Sequence, residues 1–137
     1  MATNSTNSAN AIPANPMGLN PMNLAKIAVR LRLMHHDKIA FGPGKAELLE
    51  AIAQTGSISQ AAKQMGMSYR RAWQLVNTMN GCFAVPLVET QTGGNQGGGA
   101  LLTQNGLQVL ALFRKMEQEL LAQSAHYQQQ WNDLLKP

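Results

Sequence analysis

The segment Ser57–Asn80, SISQAAKQMGMSYRRAWQLVNTMN, constrains the fold more tightly than any other part of the chain. Small and apolar residues recur at helical spacing on both sides of Gly66, so two short helices joined by a tight turn are expected. Ser57 or Ser59 can cap the first helix, which carries Ala61, Ala62 and Met65. The small Ala61–Ala62 pair leaves room for another helix to cross closely. Gly66 supplies the turn because it tolerates positive φ. Ser68 caps the second helix, which is expected to run to about Asn80.

Placing the second helix at about 100° per residue separates two faces. Tyr69, Ala72, Trp73, Val76, Met79 and Phe83 gather on one side, as a packing face. Arg70, Arg71, Gln74, Asn77 and Thr78 gather on the other. Between Gly56 and Asn80 the charged residues are Lys63, Arg70 and Arg71, with no acid among them, whereas Glu47 and Glu50 precede the segment and Glu117 and Glu119 follow it. An ordinary solvated helix face mixes both signs of charge; this one does not. Arginine reads guanine bidentately, and glutamine or asparagine reads adenine. The pair of helices therefore has the layout of a helix-turn-helix, which presents one helix to the edges of DNA bases.

Composition agrees without deciding the matter. The chain has 137 residues, 13 % of them charged, with 11 Lys+Arg against 7 Asp+Glu and a net charge of +4. A small, mildly basic domain fits a polyanionic partner. Cys82 is the only cysteine, so no intrachain disulfide and no cysteine-rich zinc site can form. That fits a reducing, cytoplasmic setting. No apolar run approaches the roughly 18–20 residues of a membrane helix, and the N-terminus lacks the pattern of a secretory signal. Cys82 lies far in sequence from His35, His36 and His126, and no nucleophile–base–orienter set can be assembled. Neither an enzyme, a cofactor nor a metal site is expected, and the adjacent His35 and His36 point to different sides of any regular element.

Around the central segment the chain divides into three regions. Residues 1–23 are rich in Asn, Ser, Ala and Pro and carry no charge, so a disordered tail is expected. Residues 24–103 form the folded domain. Within it, Ile27–Met34 alternates apolar Ile27, Val29, Leu31 and Leu33 with Arg30 and Arg32, which predicts a half-buried strand. His35-His36-Asp37 reads as a turn. Gly42-Pro43-Gly44 breaks the chain, and Leu48, Leu49, Ile52 and Ala53 then mark a core helix from Lys45 to near Gly56. The stretch before Lys45 is no phosphate loop, because Ile39 and Ala46 stand where a Gly and a Ser or Thr are needed. Pro86–Gln91 and Ala100–Thr103 read as strands. The intervening TGGNQGGG, residues 92–99, reads as a glycine wing whose backbone can approach DNA closely. Residues 104–137 are expected to form one long helix, capped by Thr103 and running to about Leu135. About 30 helical residues span roughly 45 Å, more than so small a domain can cover. Its apolar stripe, through Phe113, Met116, Leu120, Tyr127 and Trp131, then calls for a partner helix, most simply from a second copy.

The expected fold class is therefore mostly α with a small antiparallel sheet: a winged helix-turn-helix plus a long C-terminal dimerisation helix. The run GSISQAAKQMGMSYRRAWQLVNTMN followed by PLVETQTGGNQGGGALLTQNG resembles the N-terminal DNA-binding domain of the ModE-type molybdate-responsive regulators, themselves related to the LysR-type helix-turn-helix. The resemblance covers about residues 25 to 125. SISQAAK alone fits many LysR-like domains; its combination with the SY-RR-AW, MN and TGG…GGGA-LLT elements is far more specific. It implies a dimeric bacterial transcription factor with Ser68, Tyr69, Arg70, Arg71 and Gln74 on the recognition helix and Thr92 to Gly99 on the wing. The family's wing usually carries a basic residue among its glycines, where this chain has Asn95 and Gln96. That counts against a charged contact from the wing. The family's molybdate-binding domains follow the DNA-binding domain, and this chain runs to Pro137, so the resemblance transfers DNA binding and not molybdate sensing.

The expectation is a homodimeric, sequence-specific regulator on a palindromic operator. Arg70, Arg71 and Gln74 read bases. Lys63, Ser68, Tyr69, Thr78 and the wing residues Thr92, Gly93, Gly94, Asn95 and Gln96 complete the contact with double-stranded DNA, and Arg30 and Arg32 are candidates for further phosphate contacts. The alternative is a winged-helix protein-interaction module that partners a separate molybdate-sensing chain. A steep fall of affinity with salt distinguishes the first from the second.

Overall fold

The computed structural model describes residues 25–91 and 99–137. The expected tail, residues 1–23, and the wing residues Thr92, Gly93, Gly94, Asn95 and Gln96 lie outside the described residues. The chain divides into two compact units, Val29–Glu119 and a smaller one that joins the stretch up to Ala28 with Leu120–Pro137.

The larger unit opens with an antiparallel hairpin, β1 (Leu33–His35) and β2 (Lys38–Phe41), with a bulge between Leu33 and Met34. Three helices follow: α1 (Pro43–Thr55), α2 (Ile58–Met65) and α3 (Tyr69–Cys82). A second antiparallel hairpin comes next, β3 (Val88–Gln91) and β4 (Gly99–Leu102), paired from Val88↔Leu102 to Gln91↔Gly99. Helix α4, Gln104–Ser124, completes the unit and carries the chain out of it.

Local chemistry explains the helix boundaries. Pro43 sits in the first turn of α1, where its missing N–H has no helical partner to lose. The Ser57 hydroxyl accepts the Gln60 amide and starts α2. Gly66 (φ 68°) turns the chain, its amide bonding to the Lys63 carbonyl while that of Met67 bonds to the carbonyl of Ala62. The Ser68 hydroxyl then accepts the Arg71 amide and starts α3.

The core lies where α1, α2 and α3 meet. Leu48, Leu49 and Ile52 pack with Ala61, Ala62, Ala72, Val76 and Met79, closed by Phe41, Leu87 and Phe113. The Phe41 ring meets that of Phe113 edge-on at 5.0 Å. One buried cation interrupts this apolar set: Lys45 donates its ammonium to the Ile39 carbonyl, and burial pushes its pKa below the ordinary 10.5. Across the surface of the unit, Arg114 on α4 grips Glu50 on α1 through its Nε and Nη2 and reaches Glu117 with Nη1.

Four sequence expectations need correction. The strand predicted over Ile27–Met34 is shifted, since only Leu33–His35 pairs. The alternation is real, with Ile27, Val29 and Leu31 half-buried and Arg30 and Arg32 exposed, but residues before Leu33 have no ladder partner. Their strand partner, β2, was not anticipated. The two hairpins form separate two-stranded sheets instead of one. The last helix is not continuous: a 3₁₀ turn, Ala125–Tyr127, separates α4 from α5 (Gln128–Leu134), and Ser124 donates its hydroxyl to the Leu121 carbonyl at the break.

In the smaller unit, α5 is tied to the incoming chain. The Ala25 amide donates to Asn132 Oδ1, and Gln128 Nε2 donates to the Ala25 carbonyl.

Candidate nucleic-acid interface

Helix α3 buries only a narrow stripe, made of Ala72, Val76 and Met79. Leu75 flanks the stripe half-buried against the core, and the remaining residues of the first three turns face water. Arg70, Arg71, Gln74, Asn77 and Thr78 are exposed, as the angular sorting predicts. So are Tyr69, at 54 %, and Trp73, at 37 %, which that sorting placed on the packing side. The packing face was drawn too wide: α2 and the core cover the Ala72–Val76–Met79 stripe and leave the aromatic flank uncovered. The exposed arc thus runs from Tyr69 and Trp73 through Arg70 and Gln74 to Thr78 and Arg71.

Two of these residues have part of their polar capacity engaged. The Ser68 oxygen accepts the Arg71 amide, so its hydroxyl hydrogen remains free for an outside acceptor. The Thr78 hydroxyl donates to the Gln74 carbonyl, which leaves its lone pairs and methyl outward. Lys63 is exposed on the last turn of α2, and from Ala51 to Val88 the chain contains no acidic residue.

The wing hairpin is anchored to this helix pair at two places. Asn80, near the end of α3, accepts the amides of Leu87 (2.8 Å) and Val88 (3.2 Å) on Oδ1 and donates Nδ2 to the Val88 carbonyl (3.1 Å). On the other strand, the Ala100 amide donates to the Gly56 carbonyl (2.9 Å), at the turn between α1 and α2. Thr103 adds a third tie at the base. Its amide bonds to the Leu87 carbonyl, its hydroxyl donates to Pro86 and accepts the Gly106 amide, which caps α4. Gly106 is required here, because a Cβ on it would lie 2.2 Å from the Leu87 carbonyl oxygen. Between α2, the start of α3 and the two wing strands lies an open cleft of about 620 Å³. Sequence reasoning missed Trp73, Gln60 and Gln91 as parts of this surface. Their exposure depends on where β3 and β4 sit, and no local pattern reports that.

The fold and this geometry can be set beside known proteins. Residues 44–107 match the profile of the family described as "Bacterial regulatory helix-turn-helix protein, lysR family". The molybdenum transport protein ModE of Azotobacter vinelandii is 39% identical over 98 residues, covering 72% of this chain and 36% of that protein. The DNA-binding transcriptional dual regulator ModE of Escherichia coli (strain K12) is 43% identical over 99 residues, covering 72% of this chain and 35% of that protein. This domain is a ModE-type helix-turn-helix of the LysR family. The molybdenum-pterin-binding protein MopA of Rhodobacter capsulatus is 40% identical over 96 residues, or 70% of this chain and 36% of that protein. The chain spans about a third of the length of the curated relatives it matches.

Within the ModE-type domain, the residues assigned to a dimer seam separate into two groups. Phe113 is buried, at 6 %, against Phe41 in the core of its own unit, which takes it out of any seam. Val109 and Leu110 follow it inward, half-buried against the same core. Met116, Leu120, Tyr127 and Trp131 are exposed, joined by Leu107, Leu112 and Leu121, which the sequence reading did not assign. Helix α4 therefore has two apolar faces, one spent on the core and one open. Among the described residues no helix is long and apolar enough to cross a membrane.

Proposed function

We infer that this chain is a sequence-specific, DNA-binding transcriptional regulator that works in molybdenum metabolism and binds a palindromic operator as a homodimer. The observation that carries the reading is the exposed, acid-free arc of α3, with Arg70, Arg71 and Gln74 side by side. These three side chains read base edges in the major groove. Lys63, the Ser68 hydroxyl and Tyr69 hold the flanking phosphates, and the wing lies against the backbone beside them. The molybdenum connection rests on the similar proteins, which are named for molybdenum transport or molybdenum–pterin binding. Dimerisation rests on the open face of α4, where Leu112 (58 %) and Met116 (43 %) stand in water one helical turn apart.

A two-fold dimer requires half-sites about 34–36 Å apart, or a multiple of that. Selection of bound duplexes from a random pool tests this reading directly. It is expected to return a palindrome, and binding to it should weaken steeply as salt rises. Arg70→Ala should cost about 1–3 kcal/mol on that site and relax one base position. If no duplex is enriched, and the protein instead pulls down a partner chain with salt-insensitive affinity, the domain is a protein-interaction module.

A further inference from the structure

Among the described residues, two polar points hold helix α4 to the rest of its unit. At its start, Asn105 donates Nδ2 to the Val85 carbonyl, beside the close approach of Gly106 to Leu87. Two turns on, roughly 12 Å along the axis, Arg114 grips Glu50 of α1 with two parallel bonds, Nε to Oε2 at 3.1 Å and Nη2 to Oε1 at 2.7 Å. Its remaining edge, Nη1, donates to Glu117 one turn later at 2.8 Å. Val109, Leu110 and Phe113 pack on the core between the two points. The Arg114 and Glu50 side chains are both part-exposed, so their pairing adds little to stability. What a guanidinium fork on two carboxylates supplies is direction, because turning it toward one partner breaks a bond to the other.

We propose that the Arg114–Glu50 clasp determines which half-site spacing is accepted: it sets the direction in which α4 leaves the reading unit, and so the separation at which two copies present Arg70 and Gln74. The proposal rests on the homodimer and palindromic-operator reading above, and adds to it two residues assigned to neither the DNA contact nor the seam. Arg114 stands about 160° around α4 from Leu112 and from Met116, so the clasp lies on the side away from the open apolar face. Helix α1, which carries Glu50, shares its core with α3 through Leu48, Leu49, Ile52, Val76 and Met79. The clasp therefore joins the seam helix to the body that holds the recognition helix. On an arm of about 17 Å, half the half-site separation, a tilt of about 10° moves each recognition helix about 3 Å and the pair about 6 Å, close to two base pairs. A single base-pair step already shifts one half-site about 3.4 Å and turns it about 35° around the duplex. A helix of fixed direction thus accepts one spacing, and a freed helix accepts several.

Selection from a random pool supplies the half-site. A set of duplexes carrying two such half-sites, with the gap varied one base pair at a time over a full helical turn, then reads the spacing by titration with the full chain. The wild type is expected to favour one gap. In Arg114→Met and in Glu50→Gln the advantage of that gap over its neighbours should fall at least about fivefold, with the half-site sequence, the dimer in sedimentation and the circular dichroism unchanged. A pair that served stability alone would lower affinity at every gap alike and leave the profile as it is. That result, or the wild-type profile in both variants, overturns the proposal. Glu117→Gln keeps the clasp and should keep the wild-type profile; equal broadening there would assign the effect to the charge of α4 and overturn the proposal as well. Should Arg114→Met not fold, Glu50→Gln decides alone, since it leaves the Arg114–Glu117 bond in place. A wild type that binds single half-sites as a monomer removes the dimer reading and this proposal with it. A wild type with one sharp gap keeps that reading, whatever the variants do.

Discussion

Replacing Asn80 by alanine removes the side chain that fastens the wing to the recognition helix. Its amide makes three bonds to the backbone of Leu87 and Val88. Both residues are buried, at 0 % and 3 % exposure, so the freed Leu87 and Val88 amides and the Val88 carbonyl regain water only in part. A net 0.5–1.5 kcal/mol for each of the three bonds gives roughly 1.5–4.5 kcal/mol, and partial access of water at the half-buried Asn80 site favours the lower half of that range. For the larger unit, about 2–3 kcal/mol corresponds to a fall in Tm on the order of 10 °C. Alanine also raises helix propensity, which works against the loss. Asn77→Ala, at an exposed position three residues earlier on the same helix, carries the same propensity gain without the tie, so the difference in Tm between the two variants isolates it. Thermal unfolding followed by circular dichroism makes the measurement. If Asn80→Ala melts within about 3 °C of Asn77→Ala, a difference worth under 1 kcal/mol, the tie carries no stability and the reasoning is wrong. Duplex affinity should fall as well, because β3 no longer has a fixed position beside α3.

Gly106→Ala pushes a methyl group into the Leu87 carbonyl, which Thr103 holds in place, and should destabilise by about 1–3 kcal/mol in urea unfolding despite alanine's better helix propensity. The depressed pKa of Lys45, caused first by burial, means that the folded state disfavours its charge. The penalty is full below the folded pKa and fades as pH rises toward the unfolded 10.5, so wild-type stability should improve relative to Lys45→Met as pH rises from below the folded value to 10.5; a constant gap in Tm would contradict the assignment. Converting both Leu112 and Met116 to glutamate should shift sedimentation from the proposed dimer to monomer while the far-UV circular dichroism of the fold is kept, because both side chains already face water in a single copy, and the melting temperature should lose the concentration dependence of a dimer.

The central helix pair was readable from its punctuation. Ser57, Gly66 and Ser68 each impose a backbone geometry through their own chemistry, and the structure uses them as caps and turn. What escaped the sequence depends on distant neighbours. The ladder of Leu33–His35 needs β2, four residues too short to announce a strand beside a Gly-Pro break. Phe113 and Met116 both satisfy helical periodicity, yet only Phe113 meets Phe41. Tyr69 and Trp73 are apolar residues adjoining a buried stripe, and the width of that stripe is set by what packs on it. Asn80 reads as one more polar residue at a helix end, since its partners, Leu87 and Val88, lie beyond the helix and adopt their conformation only when the hairpin forms.

The anchoring of the wing strands also bears on control. One strand is held to the end of α3 by Asn80, and the other to the Gly56 turn ahead of α2. These bonds couple α3 and the two described wing strands, so that a displacement of one carries the other with it. In the proposed homodimer, a signal acting on such a piece is expected to change the spacing or tilt between the two copies instead of remodelling either one. Responsiveness in that proposed assembly then belongs to whatever joins the copies, and not to the helix and wing strands themselves.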